Sequence, residues 1–199
     1  MARTGPPGPA PPPGARGTGW FLAAYAGAAG FLGLEAIVGE GGDAASLAAS
    51  PDDQGTTRLV IVASLAVPLL APLARRFPLG TLPGAAGPVG LATEAAGLGL
   101  RTWAMGTLGA AYSRTLRTTW DHRVVDRGPY RLVRHPGYLG SLLLWTGFAL
   151  AARRLPLLAA VVVPAYRRRI LAEERLLRRD LPGYPDYAGR TWALVPRVW

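Results

Sequence analysis

Gly128-Pro129-Tyr130-Arg131-Leu132-Val133-Arg134-His135-Pro136-Gly137-Tyr138-Leu139-Gly140 lies between segments apolar enough to enter a membrane. It gathers three Arg or His side chains, two Tyr and two Pro. Ionisable groups are costly at a membrane boundary, so a cluster of them is a functional hypothesis by default. One apolar hairpin later comes a second polar cluster, Arg167-Arg168-Arg169-Ile170-Leu171-Ala172-Glu173-Glu174. Two such clusters joined by a hairpin read as two walls of one pocket, where a charged cofactor meets a lipid-soluble substrate.

Upstream of this stretch are three long apolar segments. Trp20–Val38 is interrupted only by Glu35, Leu59–Phe77 is bent by Pro68 and Pro72, and Gly87–Ala111 is rich in Gly and Ala. Each is long enough to span a bilayer, and small residues let membrane helices approach closely. Glu94, near one end of the third segment, is within reach of headgroups. Downstream, Tyr138–Ala152 and Leu155–Tyr166 are short for upright spans and read as a tilted or partly embedded helical hairpin. From Arg167 the chain is amphipathic, with Leu171, Leu176 and Leu177 on one face, and this helix should stop at Leu181-Pro182-Gly183. The tail from Tyr184 to Trp199 reads as an ordered cap without a further regular element.

The expected fold is therefore all-α: an integral-membrane bundle of about five transmembrane helices. The last two form the short hairpin, and the C-terminal amphipathic helix completes the cofactor site. Residues 1–18 are Pro/Gly-rich and should be disordered, residues 19–111 form a three-helix transmembrane region, and residues 112–199 form the catalytic region.

Composition narrows the chemistry. The chain has 199 residues, half of them hydrophobic, and a net charge of +10; all 22 basic residues are Arg. Without Lys, Schiff-base chemistry and P-loop phosphate binding are excluded. Without Cys, so are disulfides, thiolate nucleophiles and zinc thiolate sites. His122 and His135 are the only His residues, too few for a His-rich metal site, and no metal is expected. The Arg residues alternate with apolar runs, so anionic lipid rather than nucleic acid is the partner they fit. No oligomeric state is specified.

Arg density places 114–134 and 167–179 on the cytoplasmic side. Running the helices backwards puts the acidic 39–57 loop, with Asp52 and Asp53, on that side as well. The all-Arg, Ala/Gly-rich composition suits a GC-rich bacterial genome, hence a bacterial inner (plasma) membrane.

Singly, each residue has an ordinary reading. A His before Pro is a common interfacial polar group, and Glu173-Glu174 on an amphipathic helix is usually a solvated face. Arg169 and Glu173 could be an i,i+4 pair worth a few tenths of a kcal/mol. Tyr130 and Tyr138 could belong to an aromatic belt. The joint pattern carries the functional case.

That pattern resembles the isoprenylcysteine carboxyl methyltransferase family of integral-membrane, S-adenosylmethionine-dependent enzymes. The resemblance runs from about Leu100 to the C-terminus: Leu100-Arg101-Thr102-Trp103-Ala104-Met105, His122-Arg123-Val124-Val125, Gly128-Pro129-Tyr130, Arg134 to Gly140, Arg169 to Glu174, and Tyr184-Pro185-Asp186-Tyr187. It implies that His122, Arg123, Val124, Val125, Tyr130, His135, Pro136, Gly137 and Tyr138 wall the S-adenosylmethionine site. It further implies that Glu173 contacts the cofactor and that Arg169 contacts the substrate. Thr115 stands where animal members carry a cofactor-contacting Gln.

The chemistry is compatible. Tyr faces suit a sulfonium cation and adenine, Glu173 suits an ammonium, and His135 suits a carboxylate or ribose. A carboxylate acceptor is ionised at pH 7 and needs no general base, so Arg169 would only orient it. An amine acceptor would need a proton acceptor, and Glu174 is the first candidate. The preferred acceptor is a lipophilic, isoprenoid-type carboxylate entering from the bilayer.

Two other readings compete. Membrane reductases of the sterol-reductase type share Arg-His-Pro-x-Tyr and a late Glu-Glu, but usually carry Asn after the Pro and an acidic residue after the Tyr. Here Gly137 and Leu139-Gly140 stand there, which argues against NADPH. A non-catalytic membrane scaffold would have no need for such costly groups.

Overall fold

The computed structural model describes residues 13–40, 53–74, 76, 82–109, 124–153 and 155–199. These contain α1 (Pro13–Glu40), α2 (Thr56–Ala74), α3 (Ala86–Leu108), α4 (Pro136–Ala151), α5 (Leu155–Asp180) and α6 (Tyr184–Arg190), with a 3-10 turn at Gly128–Arg131 before α4. The fold is all-helical, as expected; Val133 and Trp192 form an isolated parallel bridge. α1 already begins at Pro13, inside the segment expected to be disordered, while residues 1–12 lie outside the described residues.

Small residues set the tightest packing. A Cβ added at Gly90 would lie 2.6 Å from the Gly147 carbonyl oxygen, and one at Gly97 would lie 2.6 Å from that of Gly140. Gly90 meets Gly147 while Gly97 meets Gly140, so α3 and α4 run antiparallel with their backbones nearly touching. Only residues without a side chain permit this approach. α1 closes the core through Phe31 on Trp145 and Tyr25 on Phe148, with ring centroids 5.3 and 5.2 Å apart.

α2 carries Pro68 and Pro72 in its interior. Pro72 has no N–H to give the carbonyl four residues earlier, which leaves the Pro68 oxygen without its helical donor. The Tyr25 hydroxyl of α1 donates to that oxygen at 2.7 Å. α1 and α2 are thus pinned together at an acceptor that the helix itself leaves unpaired.

The expected hairpin is present, with α4 and α5 joined through a turn in which Arg153 has φ +62°. α5 then continues unbroken through Arg167 to Asp180. The apolar run and the amphipathic segment are one helix, which carries the second polar cluster rigidly from the core. The tail differs from expectation by containing α6. Pro185 in its first turn and Asp186 beside its amide end favour a helix start there.

Two described helices are long and apolar enough to cross a membrane unaided: Thr18–Ile37, with mean hydropathy 1.4, and Thr56–Ala74, with mean hydropathy 1.9. Leu22, Ile37, Val62 and Leu69 on them are exposed, as lipid-facing side chains would be. α3 is long enough but contains Glu94 and Arg101, and α4 has only 16 residues.

Both charges of α3 are buried. Arg101 donates to Glu35 of α1 at 2.7 Å through Nε, and to the Ser141 hydroxyl and Gly137 carbonyl of α4 at 2.7 and 3.0 Å. Glu94 does not reach outward as expected. It is 2 % exposed, pressed against Gly27 of α1, and its Oε1 has no hydrogen-bond partner among the described residues. A Cβ at Gly27 would lie 2.4 Å from the Glu94 carboxyl carbon, so the glycine leaves room for that side chain.

Candidate active site

Arg-His-Pro-Gly starts α4. His135 is its N-cap, in a non-helical conformation, and Pro136 occupies the first helical position, where its missing N–H costs nothing. The chain end crosses this start: Arg134 N–H donates to Trp192 O at 2.7 Å and His135 N–H to Ala193 O at 3.1 Å. The opening stretch is therefore braced by residues near the C-terminus as well as by α5.

Glu174 is the hub of that brace. Its Oε1 accepts from Arg134 Nε at 2.7 Å, His135 Nε2 at 2.9 Å and the Tyr184 hydroxyl at 2.9 Å, while Oε2 accepts from Arg178 at 3.0 Å. Burial alone would raise this carboxyl, but hydrogen bonds from His135 and Arg134 outweigh it and hold Glu174 well below the usual carboxylate range. A carboxylate so held is a poor proton acceptor. This geometry opposes the general-base role considered for Glu174 and gives it the task of joining α4, α5 and α6.

Glu173 faces another way. Its Oε2 accepts from the Tyr138 hydroxyl at 2.5 Å, and the same hydroxyl accepts from Arg169 Nε at 2.9 Å. Arg169 is 3 % exposed. Its Nη1 pairs with Asp53 and donates to Thr57 Oγ1 at 2.9 Å and Thr56 Oγ1 at 3.1 Å. The result is a continuous polar line, Asp53–Arg169–Tyr138–Glu173, running from the start of α2 to α5, across to α4 and back to α5. The His135 and Tyr138 rings stack with centroids 5.7 Å apart, and Tyr166 meets Tyr138 edge-on at 5.8 Å.

The structure thus brings together Tyr138, His135, Pro136, Gly137, Arg169, Glu173 and Glu174. The Gly137 carbonyl is held by Arg101, linking the site to the partly buried Arg101–Glu35 pair. Tyr130 is buried beside the cap, and its carbonyl accepts from the Tyr187 hydroxyl at 2.7 Å. Val124 packs on the Leu181–Tyr184–Tyr187 cluster, and the neighbouring Val125 is half-buried. His122, Arg123 and Thr115 lie outside the described residues. No group of His, Asp or Glu among the described residues is arranged to hold a metal.

Sequence reasoning missed Asp53, Thr56 and Thr57 as parts of the site. Their signal was an Asp shortly before a Thr-Thr pair at a helix start, the pattern of an N-terminal cap. Asp53 is fully buried and accepts from the Thr57 backbone N–H at 3.1 Å and its hydroxyl at 2.6 Å. Burial would raise its carboxyl; the Thr57 hydrogen bonds and the charge of Arg169 prevail and lower it. Asp53, at the foot of α2, and the 167–179 cluster therefore share one end of the bundle.

Residues 91–179 match the model of the isoprenylcysteine carboxyl methyltransferase (ICMT) family. The nickel-cobalt-cadmium resistance protein NccN of Alcaligenes xylosoxydans xylosoxydans is 33% identical over 78 residues, which is 38% of this chain and 37% of that protein. The "Probable protein-S-isoprenylcysteine O-methyltransferase" of Oryza sativa subsp. japonica is 30% identical over 116 residues, 55% of this chain and 61% of that protein. The chain therefore spans between 37% and 61% of the length of these curated relatives. The solved structure of the eukaryotic intramembrane Ras methyltransferase ICMT superposes with a TM-score of 0.55 at 22% identity, over 69% of this chain and 52% of that one, a likeness of fold. The similarity to the isoprenylcysteine carboxyl methyltransferase family thus lies in residues 91–179, a little under half of the chain.

Proposed function

We propose that this protein is an S-adenosylmethionine-dependent methyltransferase of the membrane, acting on a lipophilic carboxylate from its cytoplasmic face. The observation that carries the reading is the line Asp53–Arg169–Tyr138–Glu173 beside the stacked His135 and Tyr138 rings. It sets a carboxylate, aromatic faces and a guanidinium within one short path. The bundle would comprise about five transmembrane helices, in a bacterial inner membrane.

The residues present fit the cofactor's chemistry. Glu173 supplies an anion for an ammonium, and Tyr138 supplies a π face for a cation. When bound, S-adenosylmethionine supplies an electrophilic methyl group. The residues at this end of the bundle bind and orient. Tyr138 fixes the Glu173 carboxylate by donating to it, and the Glu174 brace holds the start of α4, and hence Tyr138, in place. Arg169 orients the acceptor carboxylate. Alignment is then the main catalytic contribution, and no proton has to be removed because the acceptor is already ionised.

Two substitutions test the assignment. Glu173→Gln should weaken S-adenosylhomocysteine binding, measured by calorimetry in detergent, at least about tenfold. Arg169→Lys keeps a charge opposite Asp53 but loses the guanidinium fork, so it should lower methyl transfer more than it lowers S-adenosylhomocysteine affinity. Equal loss of both would remove Arg169 from the acceptor side. Stabilisation by NADPH instead of S-adenosylhomocysteine would favour the reductase reading.

A further inference from the structure

Arg169 does not stand alone: a fully buried carboxylate shares its guanidinium. Asp53 is pinned by Thr57 and Thr56, whose hydroxyls lie 2.6 and 3.3 Å from Oδ1, and by the Thr57 N–H at 3.1 Å from Oδ2. The following residues Gln54 and Gly55 have φ of +48° and +75°, a turn that fixes Asp53 at the foot of α2. A carboxylate held by several short hydrogen bonds inside the protein does not swing aside when another anion arrives.

We propose that Asp53 is a positioning residue that tempers the pull of Arg169 on the acceptor carboxylate and so keeps the acceptor reactive. The inference rests on the carboxylate reading above. In methyl transfer a carboxylate oxygen lone pair forms the new O–methyl bond while the sulfonium–methyl bond breaks and its electron pair passes to sulfur. No proton moves. The negative charge on the acceptor is greatest before reaction and declines toward the transition state. A guanidinium given wholly to that carboxylate would stabilise the ground state more than the transition state, and turnover would slow. Division of its charge with Asp53 orients the acceptor without holding it too firmly.

Asp53→Asn tests this, because it removes the charge with little change of shape. The probes are S-farnesyl-N-acetylcysteine and its methyl ester, titrated into detergent-purified protein without methyl donor. The acid should bind Asp53→Asn about fivefold more tightly than the unsubstituted protein, and the ester should bind both equally. In turnover with S-adenosylmethionine, KM and kcat for the acid should fall by similar factors, leaving kcat/KM nearly unchanged. Asp53→Glu should return both toward their original values. Weaker binding of acid and ester alike by Asp53→Asn, or a raised KM, assigns Asp53 a structural role and overturns the proposal. A different result, equal binding of acid and ester by the unsubstituted protein while it still binds S-adenosylhomocysteine, would overturn the carboxylate reading and this inference with it.

Discussion

Glu174 accepts hydrogen bonds from Arg134, His135, Tyr184 and Arg178, whereas its neighbour Glu173 accepts from Tyr138. The two differ by one position on α5, about 100° of helix rotation, and this turns one toward the cap and the other toward the aromatic pair. The contrast separates a carboxylate that joins helices from one suited to a ligand. It also implies that stability and binding can be damaged independently.

The largest effect should come from Glu174→Ala. It strips the acceptor from Arg134, His135 and Tyr184 at once and leaves buried charge unpaired, which typically costs about 3–5 kcal/mol. A steep fall in thermal midpoint in detergent would register this loss, and a midpoint within a degree or two of the original would dissolve the contrast. Tyr138→Phe should rank next. Removing the hydroxyl takes a donor from Glu173 and an acceptor from Arg169, a cost of about 1–3 kcal/mol, with weaker S-adenosylhomocysteine binding.

Acid sharpens the comparison further. Asp53 and Glu174 both titrate below their ordinary values of 3.8 and 4.5. A depressed folded-state pKa contributes stability that is complete above the unfolded value and is lost as pH falls through the folded one. The thermal midpoint should therefore hold above about pH 5 and drop progressively below about pH 4. Glu174→Gln should flatten that drop, starting from a lower plateau; an unchanged slope would count against the brace. Glu173→Gln should have the smallest effect on stability, within about 1 kcal/mol, despite its effect on ligand binding.

How much of this was legible follows from the range of each interaction. Helix periodicity and length are local, so the apolar segments, the hairpin and the stop at Leu181-Pro182-Gly183 could be read directly. Arg134-His135-Pro136 marks a helix start by its own chemistry. The facing of Glu173 and Glu174 depended on what packs against α5, and the partners Arg134 and Tyr184 come from separate elements. The pairing of Asp53 with Arg169 joins positions 116 apart in sequence, and no local pattern encodes it. Glu94 misled for a related reason: its burial is created by Gly27 on another helix. The same distance hid the use of Arg101, whose partner Glu35 interrupts α1.

The most direct measurement is calorimetric titration of S-adenosylhomocysteine into the detergent-purified protein and its Glu173→Gln variant, with thermal midpoints recorded on the same samples. Saturable binding to the unsubstituted protein, weakened at least about tenfold in the variant at a nearly unchanged midpoint, is the predicted result. Absence of binding to the unsubstituted protein, or equal affinity in the two, would contradict the placement of the cofactor at Glu173.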